Sequence, residues 1–223
     1  MNELARTYEV VFAGPPWNEY KKCSGDACDK SFGLEARGQD LCPCPNEAML
    51  TPFYPRTETL ASIAKEVNKA GAVVEVQKNE TGKTIGFVWG FPTTVESFLE
   101  EKYKTEKGRD SVRNVLSENG ITDTFFYFSE TGVVPEYRGQ GMSNMFANIM
   151  VNAAAEKGLP LVMRTNSESP MVAVAKRFDM QQVLGPFVIA DRGVLYPTGA
   201  IQNALDQENT GRVLYIKTSV PKS

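Results

Sequence analysis

The sequence predicts a mixed α and β fold, in which helices flank a central sheet, together with a small cysteine-rich insertion. Three observations lead to this prediction. A strand, a sharp turn and a long helix follow one another over residues 123–157, and a helix and a hairpin precede them over residues 57–90. All four cysteines fall within residues 23–44. Helices and strands that are apolar on one side bury that side against each other, which produces such layered folds.

Length and composition favour one generous domain, residues 1–223, that contains the cysteine-rich insertion at residues 20–46. The hydrophobic share of 42% supports a substantial core. No apolar run approaches the roughly 20 residues that span a bilayer, and the first residues lack the pattern of a secretory signal. We therefore expect a cytoplasmic protein with no membrane partner. The net charge of −3 argues against a nucleic-acid partner.

Histidine is absent from the chain, and its absence excludes a class of enzymes. Ser–His and Cys–His hydrolases use histidine as their general base, and histidine is also the commonest metal ligand. Any proton transfer in this protein therefore depends on other side chains.

Helical spacing of apolar residues, with glycine or proline at the ends, predicts most of the helices. The strands are predicted from β-branched and aromatic runs, and the first two are joined at residues 79–83 by a turn that contains glycine. The predicted helices cover residues 2–13, 57–70 and 171–178, with two short ones inside a charged segment, 93–119. Outside residues 123–157, the predicted strands cover residues 72–76, 84–90, 161–165, 187–190 and 212–219.

The four cysteines, Cys23, Cys28, Cys42 and Cys44, form two short pairs separated by thirteen residues. Four thiolates in two knuckles match a tetrahedral structural zinc site, although Cys-x-Cys is a less usual pair than Cys-x-x-Cys. Two alternatives remain. One is a loop stapled by disulfides, which a reducing cytosol disfavours, and the other is four unconnected thiols.

The strand, turn and helix of residues 123–157 form the most informative stretch. The aromatic run Phe125–Phe128 predicts the strand, and Pro135 ends it. The helix is predicted from apolar residues at helical spacing, namely Met142, Met145, Phe146, Ile149, Met150 and Ala153. Between strand and helix, residues 138–143 read Arg-Gly-Gln-Gly-Met-Ser. Glycines allow a tight turn and a close ligand approach, and free N–H groups at a helix start favour anions. The stretch is therefore a candidate diphosphate cradle, without the Gly-Lys-Ser/Thr of a Walker A loop.

Residues 133–143, Val-Val-Pro-Glu-Tyr-Arg-Gly-Gln-Gly-Met-Ser, resemble motif A of the GNAT N-acetyltransferase superfamily. That motif reads Gln/Arg-x-x-Gly-x-Gly/Ala after a strand that ends in Val-x-Pro, and Ser143 stands where the family has Gly or Ala. The resemblance implies a central, twisted, mostly antiparallel sheet of six to seven strands. It also implies transfer of an acetyl group from acetyl-CoA to a primary amine of a small molecule or peptide, by direct attack in a ternary complex. A homodimer is left open.

The resemblance also implies roles for individual residues. Glu130 is expected to be the general base, and the N–H of Val133 is expected to hold the thioester oxygen. Trp17 and Glu19 border the region where the family binds its acceptor, although Trp17 also suits a loop packed on the core. The residues expected to contact the coenzyme are Val133, Val134, Arg138, Gly139, Gln140, Gly141, Met142, Ser143, Asn166 and Ser169.

One position departs from the family in a way that bears on chemistry. Ala175 stands where many members carry a tyrosine that protonates the departing thiolate. Ser169, Tyr127 and Tyr196 are the candidate replacements, together with water. The departure favours an alternative function, a non-catalytic regulator that binds acyl-CoA on the same fold.

Overall fold

A central mixed sheet with helices on both faces forms the body of the protein. The computed structural model describes residues 1–25, 28, 30–190, 195–197, 205–206 and 212–218. The helices are α1 Asn2–Phe12, α2 Arg56–Val67, α3 Val95–Lys102, α4 Glu106–Glu118, α5 Met142–Glu156 and α6 Met171–Arg177. The strands are β1 Lys21–Cys23, β2 Ser31–Phe32, β3 Leu50–Pro52, β4 Val73–Lys78, β5 Thr84–Thr94, β6 Thr124–Val133, β7 Leu161–Asn166, β8 Gln181–Ala190, β9 Leu195–Pro197, β10 Leu205–Asp206 and β11 Arg212–Lys217.

The strand order across the sheet is β10-β8-β11-β7-β6-β5-β4, with β9 paired to β8. Six longer strands, β4 to β8 and β11, make up its main part, and every neighbouring pair is antiparallel except β6 and β7. The chain passes from β8 through β9 and β10 and returns as β11 between β7 and β8. The predicted fold class, a mostly antiparallel sheet flanked by helices, is confirmed.

Each face of the sheet has its own apolar core, because side chains alternate along a strand. On one face, aromatic residues of β5 such as Phe87 and Trp89 pack with α1 to α4. On the other, Phe126 and Phe128 of β6 pack against Phe146 and further apolar side chains of α5 and α6. The apolar face of α5 differs from the predicted one at Met145, which is 41% exposed, whereas Ala147 and Ala154 are buried.

The parallel strands β6 and β7 separate after a short pairing, and this opens the sheet. Only residues Phe126–Phe128 pair with Leu161–Met163. Further along, the N–H of Val134 donates to the Ile85 carbonyl of β5 at 3.0 Å. Because backbone groups alternate in direction along a strand, the N–H of Val133 is directed to the opposite side, into the gap.

A β-bulge in β6 determines which face Glu130 occupies. Trp89 is opposite Glu130, but Gly90 is opposite Phe128, so Ser129 is an extra residue in β6. The bulge brings Glu130 to the face on which Tyr127 lies. Glu130 and Gly132 share that face, since no further shift intervenes between them.

The cysteine-rich segment forms a separate three-stranded antiparallel sheet in the order β2-β1-β3. Its small core contains Ala36, Cys42, Cys44 and Leu50. Such a core buries little apolar surface, so hydrophobic burial alone contributes little to the stability of this segment.

Most predicted elements are confirmed to within a few residues at their ends. The largest extension is β8, which begins at Gln181 rather than at residue 187, and residues 195–197 form the additional strand β9. The predicted end of the last strand at residue 219 lies outside the described residues. Among the described residues, every helix is too short or too polar to cross a membrane.

Candidate active site

A cleft of about 440 Å³ occupies the gap beyond the β6–β7 pairing. We call it the outer cleft. It is bounded by β6, by the turn before α5, by α6 and by the loop that follows α1. Its lining includes Val133, Tyr137, Arg138, Gly139, Gly141, Met142, Ser143, Asn144, Ser169 and Arg177.

The turn before α5 has the backbone geometry that an anion cradle requires. Gly139 and Gly141 have φ values of 78° and 81°, a left-handed region that suits glycine. A Cβ added to either glycine would meet no atom within 4 Å, so the backbone is open toward the cleft. The N–H groups of Asn144 and Met145 donate to the Gly141 carbonyl, and those of Met142 and Ser143 precede these first helical bonds.

Arg138 contributes to this turn in a way that the sequence does not reveal. Its Nε donates to the Val133 carbonyl at 3.1 Å, and its Nη2 donates to the Val11 carbonyl of α1 at 3.2 Å. The guanidinium therefore ties the turn to β6 and to the end of α1. Among the other residues expected to contact the coenzyme, Val134, Gln140 and Asn166 lie outside the lining of the outer cleft.

Arg177, at the end of α6, is a cation of the outer cleft that sequence reasoning missed. Its Nη1 donates to the Asn144 side-chain oxygen at 3.0 Å, which brings it to the start of α5. The feature of the sequence that could have indicated Arg177 is its position in the last turn of the helix that follows the predicted strand 161–165. A guanidinium at this place suits phosphate oxygens.

A second chamber of about 120 Å³ adjoins the outer cleft, and we call it the inner chamber. Four residues line both spaces, namely Trp17, Thr131, Ser169 and Met171. Its polar and aromatic lining includes Tyr8, Glu19, Tyr54, Lys102, Tyr127, Glu130, Arg164 and Arg212. The two spaces therefore meet at the point where β6 and β7 diverge.

Glu130, the expected general base, lies in the inner chamber. Burial and then the nearby Glu66 carboxylate raise its pKa to about 7, although Lys102 and Arg212 act in the opposite direction. A carboxylate with a pKa near the working pH is suited to accept a proton and to release it again.

Glu66, from α2, is a half-buried carboxylate near Glu130 that the sequence did not single out. It accepts hydrogen bonds from the Trp89 Nε1 at 2.8 Å and from the Ser129 hydroxyl at 2.7 Å. It also pairs with Lys102 at 3.4 Å. These three donors hold the Glu66 carboxylate close to Glu130.

Glu19 and Tyr54 form a second polar pair in the inner chamber. The Tyr54 hydroxyl donates to the Glu19 carboxylate, and burial raises the pKa of Glu19. These two residues immediately flank the cysteine-rich segment, since β1 begins at Lys21 and β3 ends at Pro52. The two ends of the cysteine-rich segment therefore form part of the wall of the inner chamber. Glu19 was a predicted candidate, whereas Tyr54 was not.

Ala175, which stands in the position of the family's tyrosine, and the candidate replacements for that tyrosine lie in different environments. Ala175 is fully buried within the core beneath α6 and lines neither space. Ser169 is buried at the junction, and its hydroxyl accepts from the Met171 N–H at 3.2 Å. Asn166 lines neither space, and its side chain accepts from the Glu168 N–H in the turn after β7. Tyr127 lines the inner chamber, and the side chain of Tyr196 lies outside the described residues.

The four cysteine sulfurs lie within 4.8 Å of one another. The sulfurs of Cys23 and Cys44 are 3.9 Å apart, those of Cys28 and Cys42 are 3.7 Å apart, and all four thiols are free. Four thiolates bound to one zinc ion at about 2.3 Å lie about 3.8 Å from each other, so the donor set fits this ion. The N–H of Gly25 points at the Cys23 sulfur at 3.4 Å, as expected beside a metal-bound thiolate.

Two solved structures with a similar backbone are N-acetyltransferases. An agmatine N-acetyltransferase, in a mutant apo form, aligns with a TM-score of 0.52 at 13% identity, over 74% of this chain and 82% of that chain. The Drosophila melanogaster polyamine N-acetyltransferase aligns with a TM-score of 0.50 at 10% identity, over 75% of this chain and 83% of that chain. No protein-family model and no curated protein matches the chain. At such low identity, the similarity establishes the fold.

Proposed function

Given that the chain has the fold of the GNAT acetyltransferases, we propose that it is an N-acetyltransferase that moves an acetyl group from acetyl-CoA to a primary amine. One observation carries the proposal. The outer cleft, with its glycine turn at a helix start, opens into a chamber that holds a carboxylate with a pKa of about 7. We extend the proposal to the whole chain, residues 1–223, as one acyltransferase domain with the insertion at residues 20–46.

The coenzyme occupies the outer cleft in this proposal. Its diphosphate lies on the N–H groups of Gly139, Gly141, Met142 and Ser143, where the helix start favours negative charge. Arg177 supplies a cation from the other side of the cleft. The pantetheine amides lie along β6 beyond Phe128, where that strand has left its pairing with β7.

The transfer is a direct attack. The amine nitrogen forms a bond to the thioester carbonyl carbon, the carbon–sulfur bond breaks, and the sulfur leaves as the coenzyme thiolate. Glu130 accepts the proton that the charged amine loses before it attacks, because an amine with a pKa of about 10.4 is almost wholly charged at neutral pH. The second proton, which the nitrogen loses as the amide forms, passes to the departing thiolate. The N–H of Val133, which is directed into the gap, stabilises the negative charge that develops on the carbonyl oxygen.

Ser169 is the proposed hydrogen-bond donor to the departing thiolate, and it keeps its own proton because a serine hydroxyl is far less acidic than a thiol. Its hydroxyl is buried at the junction of the two spaces. Ala175 lies in the core rather than in the cleft, so a side chain at that position does not serve the reaction here. A thiolate with a pKa near 8.5 is already a tolerable leaving group, so this step needs little assistance.

We also propose that Cys23, Cys28, Cys42 and Cys44 hold one structural zinc ion. The free thiols, the sulfur separations and the small core of this segment support the proposal. Four protein ligands leave no open coordination position for a substrate, so the ion contributes folding energy rather than chemistry.

Two measurements on the full chain test the proposed activity. Thermal unfolding with acetyl-CoA at a hundred times its dissociation constant should add about 2.7 kcal/mol of apparent stability. Release of free coenzyme thiol should then depend on an added primary amine and fall strongly in Glu130→Gln, which should still bind acetyl-CoA. Stabilisation without amine-dependent thiol release from any amine would favour the acyl-CoA-binding regulator, and no stabilisation would exclude both functions.

A further inference from the structure

The inner chamber carries charges of both signs. Glu19 and Glu130 line it, and so do three cations, Lys102, Arg164 and Arg212. A chamber that received only a cationic amine would gain nothing from three cations in its lining. The pairing of these charges therefore bears on which acceptor fits.

The positive charge of Lys102 is already balanced by a carboxylate of the protein. Its ammonium pairs with Glu66 at 3.4 Å and lies 5.4 Å from the centre of the Tyr127 ring. Arg164 lies with its guanidinium 5.6 Å over the Tyr103 ring. Both cations are thus engaged with groups of the protein itself.

Arg212 is engaged differently. Its guanidinium lies 4.6 Å over the Trp17 ring, at the junction between the inner chamber and the outer cleft. Within the described parts of the chain, no carboxylate forms an ion pair with it and no hydrogen bond involves its side chain. Stacking orients a guanidinium but leaves its in-plane donors available for a carboxylate.

The charge balance of the inner chamber changes when Glu130 accepts a proton. Burial and the positive charge of Arg164 lower the pKa of Arg212, whereas Glu19 and Glu130 favour its charged form. Once Glu130 has accepted a proton, only Glu19 remains as a lining carboxylate, and it already accepts the Tyr54 hydroxyl. An acid group on the acceptor restores the balance at Arg212.

From this arrangement we infer that the acceptor is a small zwitterionic amine, an amino acid or a close analogue, whose acid group is bound by Arg212 while its amine faces Glu130. The inference rests on the proposed acetyl transfer and names its substrate class. Glu130 and Arg212 line the same chamber of about 120 Å³, so amine and acid must lie within a few bonds of each other. Arg212 is expected to bind the acceptor and takes no part in bond making.

Matched pairs of acceptors that differ by one carboxylate test this inference: arginine and agmatine, ornithine and putrescine, and tyrosine and tyramine. We expect a higher kcat/KM for the amino acid in at least one pair. In Arg212→Gln, kcat/KM for that amino acid should fall about 50-fold or more, mostly through KM, since a buried charge loses its partner. The value for the decarboxylated amine should change by less than about threefold. Arg177→Gln is the control and should raise KM for acetyl-CoA without changing this preference.

Each outcome decides the inference. Decarboxylated amines as the better substrates in all pairs would overturn it and leave the acetyl transfer standing. An equal loss for both members of the preferred pair in Arg212→Gln would also overturn it, because Arg212 would then have only a structural role. Binding of acetyl-CoA without acetylation of any of these six amines would overturn the inference. Whether the acetyl transfer itself fails is then decided by a wider amine panel.

Discussion

The Ser129 hydroxyl donates a 2.7 Å hydrogen bond to the Glu66 carboxylate, and Ser129 is the bulged residue directly before Glu130. The bulge and this hydrogen bond act together. The extra residue turns Glu130 into the inner chamber, and the bond holds a second carboxylate near it. The protein thereby places two acids close together, and one of them keeps its proton to an unusually high pH.

Replacing Glu66 with glutamine should shift the pH dependence of the reaction. Burial and the Glu66 charge raise the pKa of Glu130 to about 7. Without that charge, the acidic limb of kcat/KM should move down by about 0.5 to 1 pH unit. Glu101→Gln is the matched control, because Glu101 pairs with Lys65 and Lys69 away from the chamber. An unchanged limb in Glu66→Gln would contradict this coupling.

Glu130→Gln should lower kcat about 10²- to 10⁴-fold, the usual contribution of a general base. In the wild-type protein, the rate should rise with pH through about 7, because only the ionised carboxylate accepts the proton from the amine. The variant should lose this limb but keep its affinity for acetyl-CoA, measured by titration calorimetry. A variant that retained the limb would exclude Glu130 as its source.

The same substitution should stabilise the protein at alkaline pH. The pKa of Glu130 in the folded state, about 7, lies above the ordinary value of 4.5. The folded state therefore holds this proton more tightly, and stability from this group declines as the pH rises from 4.5 through 7. The decline amounts to about 3 kcal/mol at most. Urea unfolding should show that Glu130→Gln gains stability relative to the wild type between pH 5 and pH 8.

Gly141→Ala should weaken acetyl-CoA binding. A side chain at a φ of 81° costs about 1 kcal/mol or more, and it would change the turn that presents the N–H groups. Gly120→Ala is the matched control, since Gly120 has a φ of 77° and lies at the end of α4, outside the lining of both spaces. Both variants should lose similar stability, but only Gly141→Ala should raise KM for acetyl-CoA. Equal values of that KM would count against the proposed cradle.

Loss of the metal should affect the acceptor more than the coenzyme. Glu19 and Tyr54 stand at the two ends of the cysteine-rich segment and line the inner chamber. Cys42→Ser should reduce the zinc content, measured by mass spectrometry, from about one ion per chain. It should also raise KM for the acceptor several-fold, with KM for acetyl-CoA nearly unchanged. Iron in place of zinc would show visible absorption and correct the identity of the metal, and a chain purified without metal would refute the site.

Much of the fold was predictable because its signals are local. The helical period from Met142, the aromatic run before Ser129 and the glycines of the turn act over a few residues, and the elements form where those signals stand. The side chain of Glu130, the expected general base, lies in the inner chamber beside the outer cleft. The buried face of α5 was only partly predicted, because alanines at helical spacing carry a weaker hydrophobic signal than Met145 does.

Other site residues could not be predicted, because they come together only across the sheet. Glu66, Lys102 and Arg212 lie far apart in the chain and show no pattern of their own, yet they converge on Glu130. The role of Arg138 as a tie between β6 and α1 depends on the position of Val11, which no local motif encodes.

The sequence by itself determined the elements, the glycine turn, the cysteine cluster and the exclusion of histidine chemistry, because these follow from local backbone preferences and from residue content. Only the tertiary structure decided the separation of β6 from β7, the side of the sheet that Glu130 faces and the charges around it. A one-residue bulge reverses the face of every following side chain, and a pKa depends on burial and on charges that are distant in sequence.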